Sequence, residues 1–176
     1  LKLSADGSAK ADFKSIPIGM LEAGYRAFWE YQQRERYRVI VTNWMNSVFP
    51  RAKIDTFGIE GLGSMDSQLY EWAKVSVDSF PSVEGDIWII DIPGVKYSMS
   101  GFEEVNLAER KYAIKYSCPR AEEYNVTIEL PRGARVVGLP EGVKLSCEPY
   151  ADFSITYSKK GNKITVHEMF LSLIHI

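Results

Sequence analysis

The sequence has few of the side chains that most often carry catalysis near neutral pH. Its 176 residues include two cysteines, Cys118 and Cys147, and two histidines, His167 and His175. A metal site needs three or four converging ligands, and the one dense pair, His167-Glu168, would point to opposite faces of a strand. We therefore predict no catalytic residue and no metal site.

Charge imbalance, long apolar runs and nucleotide motifs are also missing. Lys and Arg number 21 against 23 Asp and Glu, a net charge of -2, which gives no reason to expect a nucleic-acid partner. No segment approaches the ~18 consecutive apolar residues of a membrane span. Gly58, Gly61 and Gly63 match neither a phosphate loop nor a dinucleotide turn, so we predict no cofactor.

The sequence does have the composition of a folded domain, 45% hydrophobic and 12% aromatic. Residues 1–49 predict a β-hairpin, with a turn at Ala5–Ser8, and then a helical segment from Met20. The polar stretch Gln32–Arg36 leaves two alternatives, one long helix or two helices that meet there. The apolar positions at helical spacing are Leu21, Tyr25, Phe28, Tyr37, Ile40, Val41, Trp44, Met45 and Val48.

Residues 50–170 predict strands separated by turns, which is typical of an antiparallel β-sandwich. Ile87–Ile90 is apolar at every position and predicts a strand buried on both faces, and Val136-Val137 predicts a short strand. The fold class is therefore α+β and mainly β, with the sandwich preceded by the hairpin and the helical segment. The last residues, 171–176, resemble the translation of a DNA-sequencing adapter that has been read through, and we expect them to be a non-native tail.

One of these strands departs from simple alternation. Ile164 and Val166 carry the apolar pattern, which would place Glu168 inward, whereas Met169 carries it afterwards. A slip of one residue moves a side chain to the other face of a sheet. We therefore predict a bulge or a strand end near His167.

Both cysteines continue the apolar faces of strands. There a cysteine usually acts as a small buried hydrophobe, which is the interpretation we favour for Cys118 and Cys147. Two alternatives stay open, a disulfide between them and a nucleophile with His167 as its base.

Aromatic residues supply the candidate binding surface. The tryptophans lie within helix or strand patterns, which predicts core packing. Three other aromatic residues lie in irregular segments and are the candidates for ligand contact: Tyr97, Phe102 and Tyr150.

Several segments resemble a known arrangement in bacterial cell-envelope proteins. Glu129–Gly133, the turn Leu139-Pro140 and the hairpin Phe153–Val166 are similar to the carboxy-terminal region of proteins in which a transglutaminase-like domain lies between two β-domains. The order of elements is similar along nearly the whole chain. Its other landmarks are Asp6-Gly7, Arg26, Arg38, Arg51, Ile87–Ile92 and Arg110.

The resemblance implies a non-catalytic accessory domain, a fragment of such an envelope protein. The Cys, His and Asp constellation of the family would belong to the upstream transglutaminase-like domain of the same parent chain, which is the expected partner. The implied location is the periplasm or cell envelope. The alternatives are an independent carbohydrate- or peptide-binding sandwich and, third, a cysteine enzyme.

Overall fold

The structure is a computed structural model that describes residues 1–94 and 119–172. These residues form two α-helices and ten β-strands, so the predicted fold class, α+β and mainly β, is confirmed. The helices are α1 (Met20–Tyr31) and α2 (Tyr37–Val48). The strands are β1 (Lys2–Leu3), β2 (Ala9–Ser15), β3 (Lys53–Glu60), β4 (Tyr70–Val77), β5 (Ser82–Glu84), β6 (Ile87–Ile89), β7 (Arg120–Glu129), β8 (Val143–Cys147), β9 (Ala151–Lys160) and β10 (Lys163–Ser172).

The chain divides into two compact units, Leu1–Ile90 and Asp91–Ile176. In the first unit the strands pair antiparallel in the order β3-β4-β2-β1, and β5 pairs separately with β6. β1 and β2 are the predicted hairpin. Its turn forms because the Asp6 carboxylate accepts a hydrogen bond from the backbone N–H of Ser8 (2.9 Å).

Two helices occupy the helical segment, with a 3₁₀ turn, Arg34–Arg36, between them. α1 ends because the backbone of Gln32 and Gln33 is extended. α2 turns Val41 and Met45 inward, so a helix contributes the layer that covers the apolar core of this unit. The buried core residues are Ala11, Trp29, Val41, Met45, Phe49, Ala52, Ala73, Val75 and Val77.

The second unit contains an antiparallel sheet in the order β7-β10-β9-β8. β9 and β10 are the predicted hairpin, and Gly161 supplies the positive φ (62°) that its tight turn requires. β10 continues through Ser172. Residues 173–176 lie outside the described residues, and the non-native tail stays a prediction.

The strand predicted at Ile87–Ile90 is present as β6, but its predicted burial on both faces is wrong, and the strand predicted at Val136-Val137 is absent. Ile87 and Ile89 are exposed, since β6 pairs with the three-residue strand β5 and a two-stranded sheet covers neither face. Val136 and Val137 form no strand, and Val137 is exposed. Apolar composition indicated that these segments favour burial, but it does not tell whether enough neighbouring strands exist to bury them.

The predicted bulge near His167 is also wrong. β10 pairs with β7 and β9 without a register shift over its whole length. Glu168 is 0% exposed and lies on the same face as Val166 and Phe170, while Met169 points outward. The alternation is unbroken once a glutamate is accepted at a buried position.

Candidate interaction site

Helix α1 turns its apolar side chains outward. Leu21, Tyr25 and Phe28 lie three and four positions apart, on one side of the helix, and all are exposed. The buried side chains of α1 are Arg26 and Trp29. An ordinary surface helix buries its apolar stripe, whereas α1 buries Trp29 and leaves a second set of apolar side chains exposed. We call Leu21, Tyr25 and Phe28 the α1 face. Further large exposed apolar side chains nearby in the sequence are Ile16, Ile18, Met20 and Tyr31.

Arg26 explains why α1 is turned this way. Its guanidinium, 5% exposed, donates hydrogen bonds to the Glu22 carboxylate from Nε (3.1 Å) and Nη2 (2.6 Å). It also donates to the backbone carbonyls of Gly61 (2.6 Å) and Ser67. The backbone N–H of Leu69 donates to the same Glu22 oxygen (3.2 Å). Glu22 and Arg26 therefore fasten the helix to the loop between β3 and β4.

This arrangement also sets the charge state of Glu22. The hydrogen bonds from Arg26, and then the one from Leu69, hold the pKa of the Glu22 carboxyl below its usual value. The Glu22 carboxyl therefore stays ionised near neutral pH, so the buried guanidinium keeps its counter-ion. Removing either side chain would leave a charge without its partner.

A second polar contact fixes the other buried residue of α1. The Trp29 indole N–H donates to the carboxylate of Glu71 on β4, which is 2% exposed. The second oxygen, Oε2, has no hydrogen-bond partner among the described residues. Burial raises the pKa of Glu71, and hydrogen bonds with Trp29 and Ser15 partly oppose the rise. The Tyr37 hydroxyl donates to the Trp29 carbonyl (2.8 Å), which links α1 to α2.

The buried face of the second unit also carries an acidic residue. Glu168 lies between Tyr124 of β7 and Ile155 of β9. Burial, and next the charge of Glu122, raise the pKa of Tyr124 to about 12, with a smaller contribution from Glu168. Burial and then Glu168 also raise the pKa of Tyr157. Both phenols therefore stay protonated near neutral pH.

The predicted aromatic binding residues are described only in part. Tyr150 is exposed in the turn between β8 and β9, where its backbone N–H donates to the carbonyl of Cys147 (2.6 Å). Tyr97 and Phe102 lie outside the described residues. The three-residue binding surface therefore stays a prediction.

The prediction that Cys147 is buried is wrong. It is exposed on β8, which pairs with β9 alone among the described strands. Cys118 lies outside the described residues, so the disulfide stays a prediction. The structure does not bring Cys147 and His167 together, because β9 separates their strands and their side chains lie on opposite faces of the sheet. His167 Nε2 instead lies 3.1 Å from Glu123 Oε1.

Within residues 1–94 and 119–172, no group of three or more His, Cys, Asp or Glu side chains could hold a metal ion. Neither helix in those ranges is long and apolar enough to cross a membrane.

Comparison with known proteins assigns part of the chain. Residues 92–171 match the model of a family described as a domain of unknown function with a solved structure, DUF3858. This part of the chain is therefore similar to a domain of unknown function, and its described residues, 92–94 and 119–171, are mostly strands. No curated protein and no solved structure matches the chain.

The sequence analysis missed Glu22 and Glu71 as organising residues, and it explained the apolar pattern around Glu168 by a bulge instead of by a buried glutamate. A usable signal existed for each. Glu22 and Arg26 have the i, i+4 spacing of a helical ion pair. Glu71 continues the inward alternation Ala73–Val77 on β4, as Glu168 does on β10. The usual expectation that glutamate is exposed outweighed the alternation.

Proposed function

We propose that this chain is a non-catalytic accessory module of a transglutaminase-like protein of the periplasm or cell envelope. The α1 face packs against the transglutaminase-like domain of the same parent chain. The observation that carries the proposal is an exposed apolar stripe, Leu21, Tyr25 and Phe28, on a helix whose orientation is fixed by the buried Arg26.

An exposed apolar stripe of this kind favours a docking role. Burial of apolar surface stabilises a complex by roughly 25 cal/mol for each Å² removed from water. Contiguous exposed apolar residues mark interaction surfaces, and aromatic side chains such as Tyr25 and Phe28 are enriched at the centres of interfaces. Because Glu22 and Arg26 fix the helix orientation, the stripe cannot turn inward without breaking a buried ion pair.

The charge on α1 favours a protein partner over a lipid surface. Glu30 is the one charged residue among the exposed residues of α1. Helices that lie in a membrane interface carry Lys and Arg on their polar side, which attract anionic headgroups. An acidic residue on the exposed side opposes that attraction, whereas an apolar protein surface needs no basic residue.

One observation supports a non-catalytic role. Cys147 and His167 lie on opposite faces of their sheet, so neither serves the other as nucleophile or base. The transglutaminase-like parent and its location rest on the resemblance of the strand and turn segments.

The experiment measures binding of the chain to the transglutaminase-like domain encoded upstream in the same reading frame, by titration calorimetry. Leu21→Ser and Phe28→Ser are each expected to weaken binding about tenfold or more, since a buried large apolar side chain contributes about 1.5–3 kcal/mol. Val39→Ser is the matched control, because Val39 is exposed on α2. It is expected to bind as the unchanged chain does.

Three results would contradict the proposal. A reading frame without a transglutaminase-like segment would show that the chain lacks the proposed partner. Equal affinity of the Leu21→Ser, Phe28→Ser and Val39→Ser variants would show that the α1 face does not lie in the interface. Amide hydrolysis or cross-linking by the chain itself, abolished by Cys118→Ala, makes it an enzyme.

A further inference from the structure

Among the described strands of the second unit, β8 lies at an exposed edge of the sheet. It pairs with β9 alone among the described strands, and all of its five residues are exposed. Two of them are large and apolar, Val143 at 43% and Leu145 at 62% exposure. An edge strand presents unpaired backbone N–H and C=O groups that an extended polypeptide can complete.

The edge of the first unit is built differently. β3 is interrupted by a register shift between Ile54 and Thr56, and it carries Lys53, Asp55 and Glu60. Bulges and charges are the devices that keep sheet edges from pairing with other chains. β8 pairs with β9 without a shift and carries one charged residue, Lys144.

We propose that β8 binds β8 of a second copy of this chain, antiparallel and centred on Leu145. The two sheets become continuous across a two-fold axis that passes between the two Leu145 residues. In this register Val143 lies opposite Cys147 of the second copy, and Lys144 lies opposite Ser146 of the second copy. Residues opposite each other share a face, so the apolar side chains of both copies form one stripe.

The charges and the strand limits select this register. Ser146 donates a hydrogen bond to the Asp152 carboxylate (2.6 Å). In the proposed register, Lys144 of one copy therefore lies near the Asp152 carboxylate of the second copy. A register centred on Lys144 would place two lysines directly opposite each other, which is destabilising. A register centred on Ser146 would place Val143 opposite Pro149, which has no N–H to donate.

Cross-linking with the native Cys147 tests the register. Val143→Cys places a thiol opposite Cys147 of the second copy, and directly opposite Cα atoms about 4.5–5.5 Å apart suit a disulfide. The same two positions within one chain are roughly 13 Å apart along the strand, so a disulfide between them is intermolecular. In a glutathione buffer we expect a disulfide-linked dimer, with the 143–147 link identified by peptide mass spectrometry.

Lys144→Cys is the matched control, because its side chain points to the other face, opposite Ser146. It is expected to link to Cys147 at least about tenfold more slowly, since misdirected Cβ atoms cannot be bridged without backbone movement. Equal rates for the two variants, or links that map only to Cys118, would overturn the proposal.

Sedimentation analysis of the otherwise unchanged chain tests association without cross-linking. We expect a concentration-dependent monomer–dimer equilibrium, and Leu145→Lys is expected to weaken it about tenfold or more, because two lysines meet at the axis. Circular dichroism shows whether that variant keeps its fold. A chain that stays monomeric at every concentration contradicts the proposal. A chain whose β8 binds an unrelated extended peptide but not a second copy also contradicts it.

Discussion

At the scale of single residues, Glu71 makes the stability of the first unit depend on pH. Its carboxyl is buried against Trp29, and burial raises its pKa above that of the unfolded chain. Stability from a group shifted in this direction is fully present below the unfolded pKa and is lost as pH rises through the folded pKa. The first unit therefore gains stability from this residue as the pH is lowered from neutral.

Glu71→Gln tests this dependence. The variant keeps a carbonyl oxygen for the Trp29 indole but has no proton to lose. We expect its free energy of unfolding to vary less between about pH 4 and about pH 8 than that of the unchanged chain, measured by urea denaturation and tryptophan fluorescence. Glu30→Gln, an exposed change on α1, is the control. If Glu71→Gln keeps the original pH slope, another group is responsible for it.

Loss of the Arg26 side chain is expected to lower the stability of the first unit strongly. Arg26→Met leaves Glu22 without its counter-ion and leaves the carbonyls of Gly61 and Ser67 without their donor. We expect the free energy of unfolding to fall by about 3 kcal/mol. Arg36→Met, an exposed change, is expected to stay within about 0.5 kcal/mol of the unchanged chain. Equal stability of the two variants would show that Arg26 does not hold α1 in place.

At the scale of elements, the conformation of the loop between β3 and β4, which binds Arg26, requires a glycine at position 61. Gly61 has a positive φ (76°), and a Cβ there would lie 2.3 Å from the Gln68 carbonyl oxygen. Gly61→Ala is expected to cost about 2 kcal/mol or more, since the left-handed conformation alone costs about 1–2 kcal/mol for other residues. Gly63→Ala has open space around it and serves as the control. Equal melting temperatures for both variants would contradict this reading of the loop.

Local sequence patterns predicted which helices and hairpins form better than they predicted which of their residues are buried. The hairpin β1–β2, the hairpin β9–β10 and the helical segment from Met20 all followed from turn chemistry and apolar spacing, whereas the choice between one long helix and two stayed open. The exposure of β6 and of Cys147 could not be predicted, because burial depends on strands that are distant in sequence. The exposure of the α1 face could not be predicted either, since Leu21, Tyr25 and Phe28 have the spacing of a core-facing stripe. The carbonyl groups that hold Arg26, and with it the orientation of α1, lie in the loop before β4, far from α1 in the sequence.

At the scale of the whole molecule, the sheet of the first unit joins segments on both sides of the helices. β4 pairs with β2, which precedes α1, and with β3, which follows α2. Nothing in the local patterns near residue 50 indicates this long-range pairing. The buried core cluster of this unit lies entirely between Ala11 and Val77. A segment that carries its whole core is expected to fold without the rest of the chain.

Residues 1–90, produced alone, are therefore expected to unfold in a single cooperative transition. They contain Trp29, Glu71 and every member of the core cluster, so the Glu71-dependent rise in stability at lower pH is expected to persist. Urea denaturation followed by tryptophan fluorescence measures both properties. Residues 1–69 are the control, because they lack β4, the strand between β2 and β3, and are expected to show no cooperative transition. If 1–90 behaves as 1–69 does, the first unit depends on the second for its stability.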